Sequence, residues 1–321
     1  MFKKFRFLGL AAALVLAITL VACGGGDSED DSGESADDGS NGNGGEASGD
    51  AIELGETELT VPYVAWAGAL VRTPLLQIAL EEAGYNVEAT QVDAGPMWTS
   101  VADGSADFMT ASWLPATHQN YWDEYQEDVE VIGEFVAQAP LGLTVPSYMD
   151  VESIEDLKGN EELGEAVDWT ITGIDPGAGV MASTEEAIEN YGLENWELQE
   201  SSEGAMLSEL QSKIDDEEPI LVPGWKPHWK FAELDLKMLE DPDEIYGGEG
   251  DRIEAVANPE FEENSPGAFE VVQRFTDDYN EEMENELLVA VNDGASEEEA
   301  AQQFLDDNPD LLEKWTEGIG E

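Results

Sequence analysis

The chain has 321 residues and a composition dominated by acidic side chains. Its 74 Asp and Glu residues outnumber 12 Lys and Arg residues, which gives a formal net charge of −62 at pH 7. Because proteins that bind phosphate backbones need a basic patch, this charge excludes nucleic acid as a partner. Hydrophobic residues still make up 41% of the chain, which is typical of a folded protein and not of a disordered one.

The N-terminus is typical of a secretory signal peptide that ends at a lipid-attachment site. Basic residues precede an apolar stretch over 7–20, which is shorter than the ~20 residues that a transmembrane helix needs. Small residues then lead to Cys23, which is the only cysteine of the chain and so cannot form an internal disulfide bond. We predict export, cleavage before Cys23, and a lipid anchor on Cys23 that holds the protein at the extracytoplasmic face of the cell membrane.

After a polar segment, the chain alternates between strand and helix patterns. Residues 24–50 are rich in Gly, Ser, Asp and Glu, which predicts a flexible acidic linker. The apolar periodicity that follows predicts strands over 58–66, 86–92, 106–110, 169–174, 220–222 and 252–257. It predicts helices over 72–83, 97–103, 181–191, 205–213, 267–280, 281–291 and 297–305. The alternation indicates α/β layers.

This pattern divides the chain into four parts. Residues 1–22 form the predicted signal peptide, and residues 23–54 hold the lipidated cysteine and the linker. The middle block, 148–251, has its own set of strands and therefore predicts a separate lobe, lobe 2. Residues 55–147 together with 252–321 form the predicted lobe 1.

Three tryptophans stand at the C-terminal ends of short apolar runs: Trp66, Trp113 and Trp225. In open α/β sheets, ligands bind beyond the carboxyl ends of the strands, so rings delivered there could surround one small molecule. Such a cage suits a quaternary ammonium group, which has no N–H donor but is attracted to each desolvated indole face by about 2 kcal/mol or more. The alternative is that these rings are core or interface aromatics, which is how we interpret the remaining tryptophans.

A second motif is typical of an anion site. Gly177-Ala178-Gly179 lies between a predicted strand and a predicted helix, where the backbone N–H groups of the helix N-terminus have no intrahelical acceptor. The same residues could instead form a tight connection without a ligand. His118 follows Trp113 on one short loop, so the two side chains could reach opposite ends of one zwitterion. We interpret His228 as a hydrogen-bonded structural residue beside Trp225.

The sequence contains no motif that predicts catalysis. Gly-x-Ser-x-Gly, His-Glu-x-x-His, the phosphate loop and the dinucleotide fingerprint are all missing. Two histidines and one cysteine in the whole chain do not predict a metal site. We therefore expect neither an enzyme nor a bound cofactor or metal ion.

Five segments with uncommon groupings of Trp, Pro, Gly and His lie in both halves of the chain: Tyr63–Trp66, Asp93–Trp98, Ser112–His118, Gly173–Val180 and Gly224–Trp229. Together they resemble the glycine betaine/proline betaine substrate-binding lipoproteins of bacterial ABC importers, and the resemblance extends from residue 57 to the C-terminus. It implies a two-lobed, periplasmic-binding-protein-like (type II) α/β fold with the ligand cleft between the lobes.

The resemblance also implies roles for particular residues. In such proteins three tryptophans enclose a trimethylammonium group, while a histidine and two backbone N–H groups bind the carboxylate. The matching cage positions are Trp66, Trp113 and Trp225. The matching carboxylate positions are His118 and the N–H groups of Gly179 and Val180.

The expected function is capture of glycine betaine or a related quaternary-ammonium osmolyte for osmoprotection. The expected partners are this small molecule, the permease and ATPase of the importer, and the membrane through the lipid anchor. One alternative is a receptor for choline or carnitine. Another is a surface sensor or carbohydrate-binding lipoprotein, in which tryptophans would stack on sugar rings.

The acidic excess predicts adaptation to concentrated salt, because the Debye length falls to about 3 Å at 1 M salt and carboxylates then repel one another weakly. We expect the thermal unfolding temperature to be higher in molar NaCl than in dilute buffer. Melting curves in both buffers, with sucrose of equal osmolality as an uncharged control, would test this. Equal unfolding temperatures in the two buffers would contradict it.

Overall fold

The computed structural model describes residues 51–320; the predicted signal peptide (1–22), Cys23 and residues 24–50 lie outside the described part. The described part is a mixed α/β structure. Its strands are β1 Glu58–Tyr63, β2 Asn86–Gln91, β3 Phe108–Leu114, β4 Glu130–Ala139, β5 Leu141–Pro146, β6 Thr170–Thr172, β7 Glu197–Gln199, β8 Val222–Trp225, β9 Leu236–Met238 and β10 Asp251–Ala257. Its helices are α1 Ala67–Glu82, α2 Ala94–Ala102, α3 Gln119–Tyr125, α4 Glu161–Ala166, α5 Gly179–Asn190, α6 Glu203–Asp215, α7 Lys230–Glu233, α8 Phe261–Asn264, α9 Pro266–Asp278, α10 Glu281–Asn292, α11 Glu297–Asp307 and α12 Pro309–Thr316.

Five strands form a first group, which we call strand group A. β1 and β2 are parallel, and β10 is antiparallel to both β3 and β4. The backbone N–H of Asp107, just before β3, donates to the carbonyl of Thr60 in β1 at 3.0 Å. The order across group A is therefore β2-β1-β3-β10-β4.

The other five strands form strand group B, which repeats this order. β6 and β7 are parallel, and β5 is antiparallel to both β8 and β9. The backbone N–H of Thr172 in β6 donates to the carbonyl of Leu221, just before β8, at 2.9 Å. The order is β7-β6-β8-β5-β9, so β5 and β10 hold equivalent positions. The division into lobes stays a prediction, but residues 141–146, assigned above to lobe 1, pair with strands of group B.

The chain passes between the two strand groups twice, and the two connections lie against each other. The first connection is Pro140, between β4 and β5, and the second runs over 239–250, between β9 and β10. A Cβ atom on Gly250, whose φ is +99°, would lie 2.8 Å from the Pro140 nitrogen. Only glycine therefore fits at position 250 without a shift of backbone.

Most predicted elements are present, but their ends differ next to the motifs. α1 begins at Ala67 and not at residue 72, because Trp66 is its N-cap residue. β3 extends to Leu114 and β8 reaches Trp225, so two of the three cage candidates lie within strands. Every residue of these two strands is buried, so no alternation of polar and apolar residues marks where they end. The sequence patterns also missed four strands and five helices, namely β4, β5, β7, β9, α3, α4, α7, α8 and α12.

The folded part begins earlier than the predicted end of the linker at residue 54. The backbone N–H of Ile52 donates to the carbonyl of Gly318 at 2.9 Å. The hydroxyl of Tyr85 donates to the carbonyl of Leu54 at 2.7 Å. Within residues 51–320, the helices are all too short or too polar to cross a lipid bilayer.

Candidate functional site

A small cavity is lined by residues of both strand groups and offers a water-sized sphere a volume of about 20 Å³. Pockets for drug-sized ligands usually have about 300–1,000 Å³, so this cavity is far smaller than such a pocket. Its lining consists of Trp66, Trp113, Thr117, His118, Leu141, Ile174, Ala178, Gly179, Val180 and Trp225. All six residues predicted to contact a ligand thus border one cavity, while their contact with a ligand stays a prediction. Of the other four lining residues, Thr117, Ile174 and Ala178 lie within the motif segments but had no predicted contact, and Leu141 lies outside those segments.

The three cage candidates reach the cavity from separate elements. Trp66 caps the N-terminus of α1, Trp113 lies near the end of β3, and Trp225 is the last residue of β8. Their exposed fractions are 8%, 7% and 4%, so water has been largely removed from all three rings. The rings are therefore in the desolvated setting in which cation–π attraction is strongest.

The loop after Trp113 is held by a carboxylate that the sequence did not reveal. Asp251, at the start of β10, is completely buried. Its two oxygens accept hydrogen bonds from the backbone N–H groups of Ala116, at 2.7 Å, and Thr117, at 2.9 Å. Asp251 therefore fixes the loop that carries His118, and as one of 74 acidic residues it has no local signature.

The hydrogen bonds of His118 determine its tautomer. Its Nδ1 accepts a hydrogen bond from the backbone N–H of Trp113 at 3.1 Å and a longer one from Nε1 of Trp98 at 3.4 Å. Burial lowers the pKa of His118 to about 3, so the ring is neutral and its hydrogen is on Nε2. Nε2 is buried without a hydrogen-bond partner among residues 51–320. A neutral N–H donor thus remains available on a ring that lines the cavity.

The N-terminus of α5 supplies further donors. The helix begins at Gly179, its N-cap residue Ala178 offers no side-chain hydrogen bond, and its first turn has no acidic residue. The first N–H groups of a helix have no intrahelical acceptor, and the helix dipole favours an anion there. Gly179 also packs tightly, because a Cβ atom on it would lie 2.0 Å from the carbonyl oxygen of Thr117.

His228 does not line the cavity. Its Nε2 lies 3.1 Å from a carboxylate oxygen of Glu203, and its ring centroid is 5.3 Å from that of Trp225. This agrees with its interpretation as a hydrogen-bonded residue beside Trp225. Among residues 51–320, no group of three or more His, Cys, Asp and Glu side chains is placed to hold a metal ion.

Two α/β strand groups with the same strand order, which together line one cavity, define a solute-binding protein of the periplasmic-binding-protein class. Solved structures show the same fold. Lactococcal OpuAC, in its closed conformation with glycine betaine, aligns at 34% identity and a TM-score of 0.75, over 82% of this chain and 100% of that one. An ABC-transporter choline binding protein in complex with choline aligns at 25% identity and a TM-score of 0.75, over 82% and 92%.

The family model for the substrate binding domain of the ABC-type glycine betaine transport system matches residues 57–307. The chain therefore belongs to this family of substrate-binding domains. A curated relative, glycine betaine/carnitine transport binding protein GbuC of Listeria monocytogenes, is 44% identical over 161 residues. That alignment covers 50% of this chain and 53% of GbuC, so the chain spans about half the length of this relative.

The close packing of Gly179 predicts that Gly179→Ala disrupts the cavity. The added methyl group must displace Thr117, so we expect glycine betaine to bind at least about tenfold more weakly, or about 1.4 kcal/mol, as measured by calorimetry in molar salt. Gly204→Ala is the matched control, because a Cβ atom there meets nothing within 4 Å. If both variants bind glycine betaine as tightly as the unmodified protein, the close contact between Gly179 and Thr117 is not needed for binding.

The tautomer of His118 can be observed directly, because the chain has only two histidines. We expect ¹⁵N-histidine NMR spectra to show His118 as the neutral Nε2–H form throughout about pH 5 to pH 8, well above its lowered pKa. The signal that disappears in His118→Ala identifies the residue. A His118 signal that titrates near the ordinary histidine pKa of about 6.5 would contradict the assignment.

Proposed function

We propose that this chain is the extracytoplasmic substrate-binding protein of an ABC importer and that it captures glycine betaine or a closely related quaternary-ammonium osmolyte. The supporting observation is the lining of the cavity, in which three indoles lie together with a free histidine N–H and a helix N-terminus. Methylated ammonium groups are held by aromatic faces, whereas carboxylates need hydrogen-bond donors. The lining therefore matches both ends of a betaine.

The roles of the individual residues follow from their chemistry. The methylated cation lies among Trp66, Trp113 and Trp225, because their faces carry negative electrostatic potential. The carboxylate accepts hydrogen bonds from Nε2 of His118 and from the N–H groups of Gly179 and Val180, at the positive end of the α5 dipole.

The charge of the lining favours a zwitterion over a simple cation. No lining residue is Asp, Glu, Lys or Arg, and burial keeps His118 neutral. Burying a net charge without a counter-charge is costly, whereas a zwitterion brings its own counter-charge. Glycine betaine therefore fits this cavity better than choline, although the two share the trimethylammonium group.

The expected affinity is physically reasonable. A micromolar Kd corresponds to about −8.2 kcal/mol, which is roughly 1 kcal/mol for each of about eight heavy atoms. The ceiling for very small ligands is about 1.5 kcal/mol per heavy atom, so no unusual interaction is required.

Binding by closure of two lobes accounts for the enclosed position of the rings. We place the boundary between the lobes at Pro140, because β5 belongs to strand group B. Lobe 1 then comprises residues 55–140 and 251–321, and lobe 2 comprises residues 141–250. Trp66 and Trp113 come from lobe 1, whereas Trp225 and Gly179 come from lobe 2. Closure removes water from the cavity and so strengthens both the cation–π and the hydrogen-bonding contacts.

We further propose a lipid anchor on this protein and two partner proteins in the membrane. Acyl chains on Cys23 would tether it to the extracytoplasmic face of the cell membrane, with residues 24–50 as a spacer. The bound osmolyte would pass to the permease, with the ATPase driving import, so the protein carries out binding and not catalysis. Membership in a family of ABC-type glycine betaine transport domains supports this assignment of partners.

Two other functions remain to be separated by experiment. Choline recognition is the nearest, since a choline-binding protein shares the fold. Carbohydrate recognition by a surface sensor fits the lining less well, because sugar hydroxyls need several polar side chains and, apart from the indole N–H groups, only Thr117 and His118 provide them here.

Calorimetric titration of the protein with glycine betaine, choline and glucose in molar salt tests the proposal. We expect glycine betaine to bind most tightly and glucose to give no binding heat. His118→Ala removes a hydrogen bond to a charged group, worth about 1.5–3 kcal/mol, so betaine affinity should fall roughly ten- to a hundredfold. Choline has no carboxylate, so its affinity should change little and serves as the internal control for folding. Equal losses for both ligands would contradict the role of His118.

A further inference from the structure

A buried cluster outside the cavity connects two of the cage tryptophans through charged side chains. Its members are Glu203, at the first position of α6, and His228 and Lys230, which follow Trp225. All three side chains are buried, and none of them lines the cavity. Burial of ionisable groups is costly unless they are paired and hydrogen-bonded, so the contacts of this cluster need an explanation.

Glu203 binds the backbone beside Trp66. Both of its carboxylate oxygens lie 3.2 Å from the backbone nitrogen of Ala67, which is the first residue of α1. Trp66, the N-cap residue, supplies no side-chain hydrogen bond to this helix end. A carboxylate from lobe 2 therefore caps the helix of lobe 1 that begins directly after a cage tryptophan, and the α1 dipole favours its negative charge.

Glu203 also binds His228 in lobe 2. Nδ1 of His228 accepts a hydrogen bond from the backbone N–H of Lys230 at 3.1 Å, and burial together with the Lys230 charge lowers the pKa of the ring. The neutral ring therefore has its hydrogen on Nε2, which donates to Glu203 at 3.1 Å. The His228 ring also contacts the Trp225 ring edge-on, with an angle of 66° between the two ring planes.

Lys230 supplies the opposite charge. Its Nζ is fully buried, has no hydrogen-bond partner among residues 51–320, and lies 3.9 Å from the centroid of the Trp225 ring. Burial raises the pKa of Glu203 and lowers the pKa of Lys230, while attraction between the two charges opposes both shifts. The ammonium group thus contacts the Trp225 ring without lining the cavity, and the carboxylate of Glu203 balances its positive charge.

On the basis of the proposed function, we infer that Glu203 is a positioning residue. It links the two lobes and so keeps Trp66 and Trp225 at the spacing that the cage needs. Separation of the lobes must break the hydrogen bond between Ala67 and Glu203, whereas the contact between Glu203 and His228 stays within lobe 2. Glu203 therefore stabilises the closed arrangement without touching the ligand. Its removal shortens the lifetime of the complex and leaves the encounter with the ligand unchanged.

Stopped-flow tryptophan fluorescence with glycine betaine tests this inference through the separate rate constants. We expect Glu203→Ala, which removes the acceptor of the Ala67 and His228 hydrogen bonds, to raise koff by about tenfold or more and to leave kon within about threefold, because closure follows the encounter. Choline should show the same rise, which distinguishes this role from that of His118. Glu209→Ala is the matched control, because Glu209 is exposed on the same helix. An unchanged koff, or a koff that rises only in parallel with a fall in kon, would overturn the inference.

A double variant tests the inference even if the single variant at Glu203 does not fold. Glu203→Leu combined with Lys230→Met removes the carboxylate and the ammonium together, so no buried charge is left unpaired. This double variant should fold, with an unfolding temperature lowered only by the loss of the acceptor for the Ala67 and His228 N–H groups, and it should show the same rise in koff. A koff equal to that of the unmodified protein in the folded double variant would overturn the inference. If the unmodified protein binds no betaine at all, the proposed function itself fails. Betaine binding with variant rates equal to those of the unmodified protein refutes only the role of Glu203.

Discussion

The hydrogen bond from the Trp113 backbone to Nδ1 of His118 determines the chemistry of the whole site. It leaves Nδ1 without a proton, so Nε2 becomes a donor that needs no positive charge. It also fixes the imidazole ring relative to the backbone of Trp113, one of the three cage candidates. The bond thus sets the position of the proposed carboxylate donor relative to the proposed cation cage. Asp251 supports this arrangement by fixing the intervening loop. In the proposed function, the cavity would therefore bind a carboxylate through dipoles alone.

An uncharged cavity contrasts with the outside of the chain. The formal net charge of −62 acts over distances that salt shortens, to about 8 Å at physiological ionic strength and about 3 Å at 1 M. Cation–π contacts and hydrogen bonds inside a closed cavity act at shorter range and without intervening ions. The recognition proposed for the buried rings and N–H groups would thus be largely independent of ionic strength.

The site could be found from the sequence to the extent that its residues lie in compact motifs. Trp113 with His118, and Gly179 with Val180, lie close together in the chain, and the resemblance to a known family related these segments to Trp66 and Trp225. The supporting residues had no such signal. Asp251 acts on residues 135 and 134 positions away, and Glu203 acts on a residue 136 positions away. Such long-range pairs depend on the tertiary fold, and carboxylates are too numerous here for one to stand out.

The dependence on long-range contacts also explains which helices and strands were predicted correctly and which were missed. Helices α9, α10 and α11 were predicted well because each has one buried and one exposed face. β5 was missed, and with it the equivalence of the two strand groups, because its place beside β8 and β9 depends on pairing with residues about 80 and about 90 positions away. Local periodicity contains no information about such partners.

The contact between Pro140 and Gly250 restricts how the proposed lobes can move. In the proposed closure, two connections that touch each other join the lobes at nearly one point, which favours a rotation about that point over a sliding of one lobe past the other. Displacements then grow with distance from the pivot: small next to Pro140 and largest at the far rims of the two lobes. The separation of those rims consequently reports whether the cavity is closed, and a membrane partner that grips both rims at once would sense occupancy without touching the osmolyte.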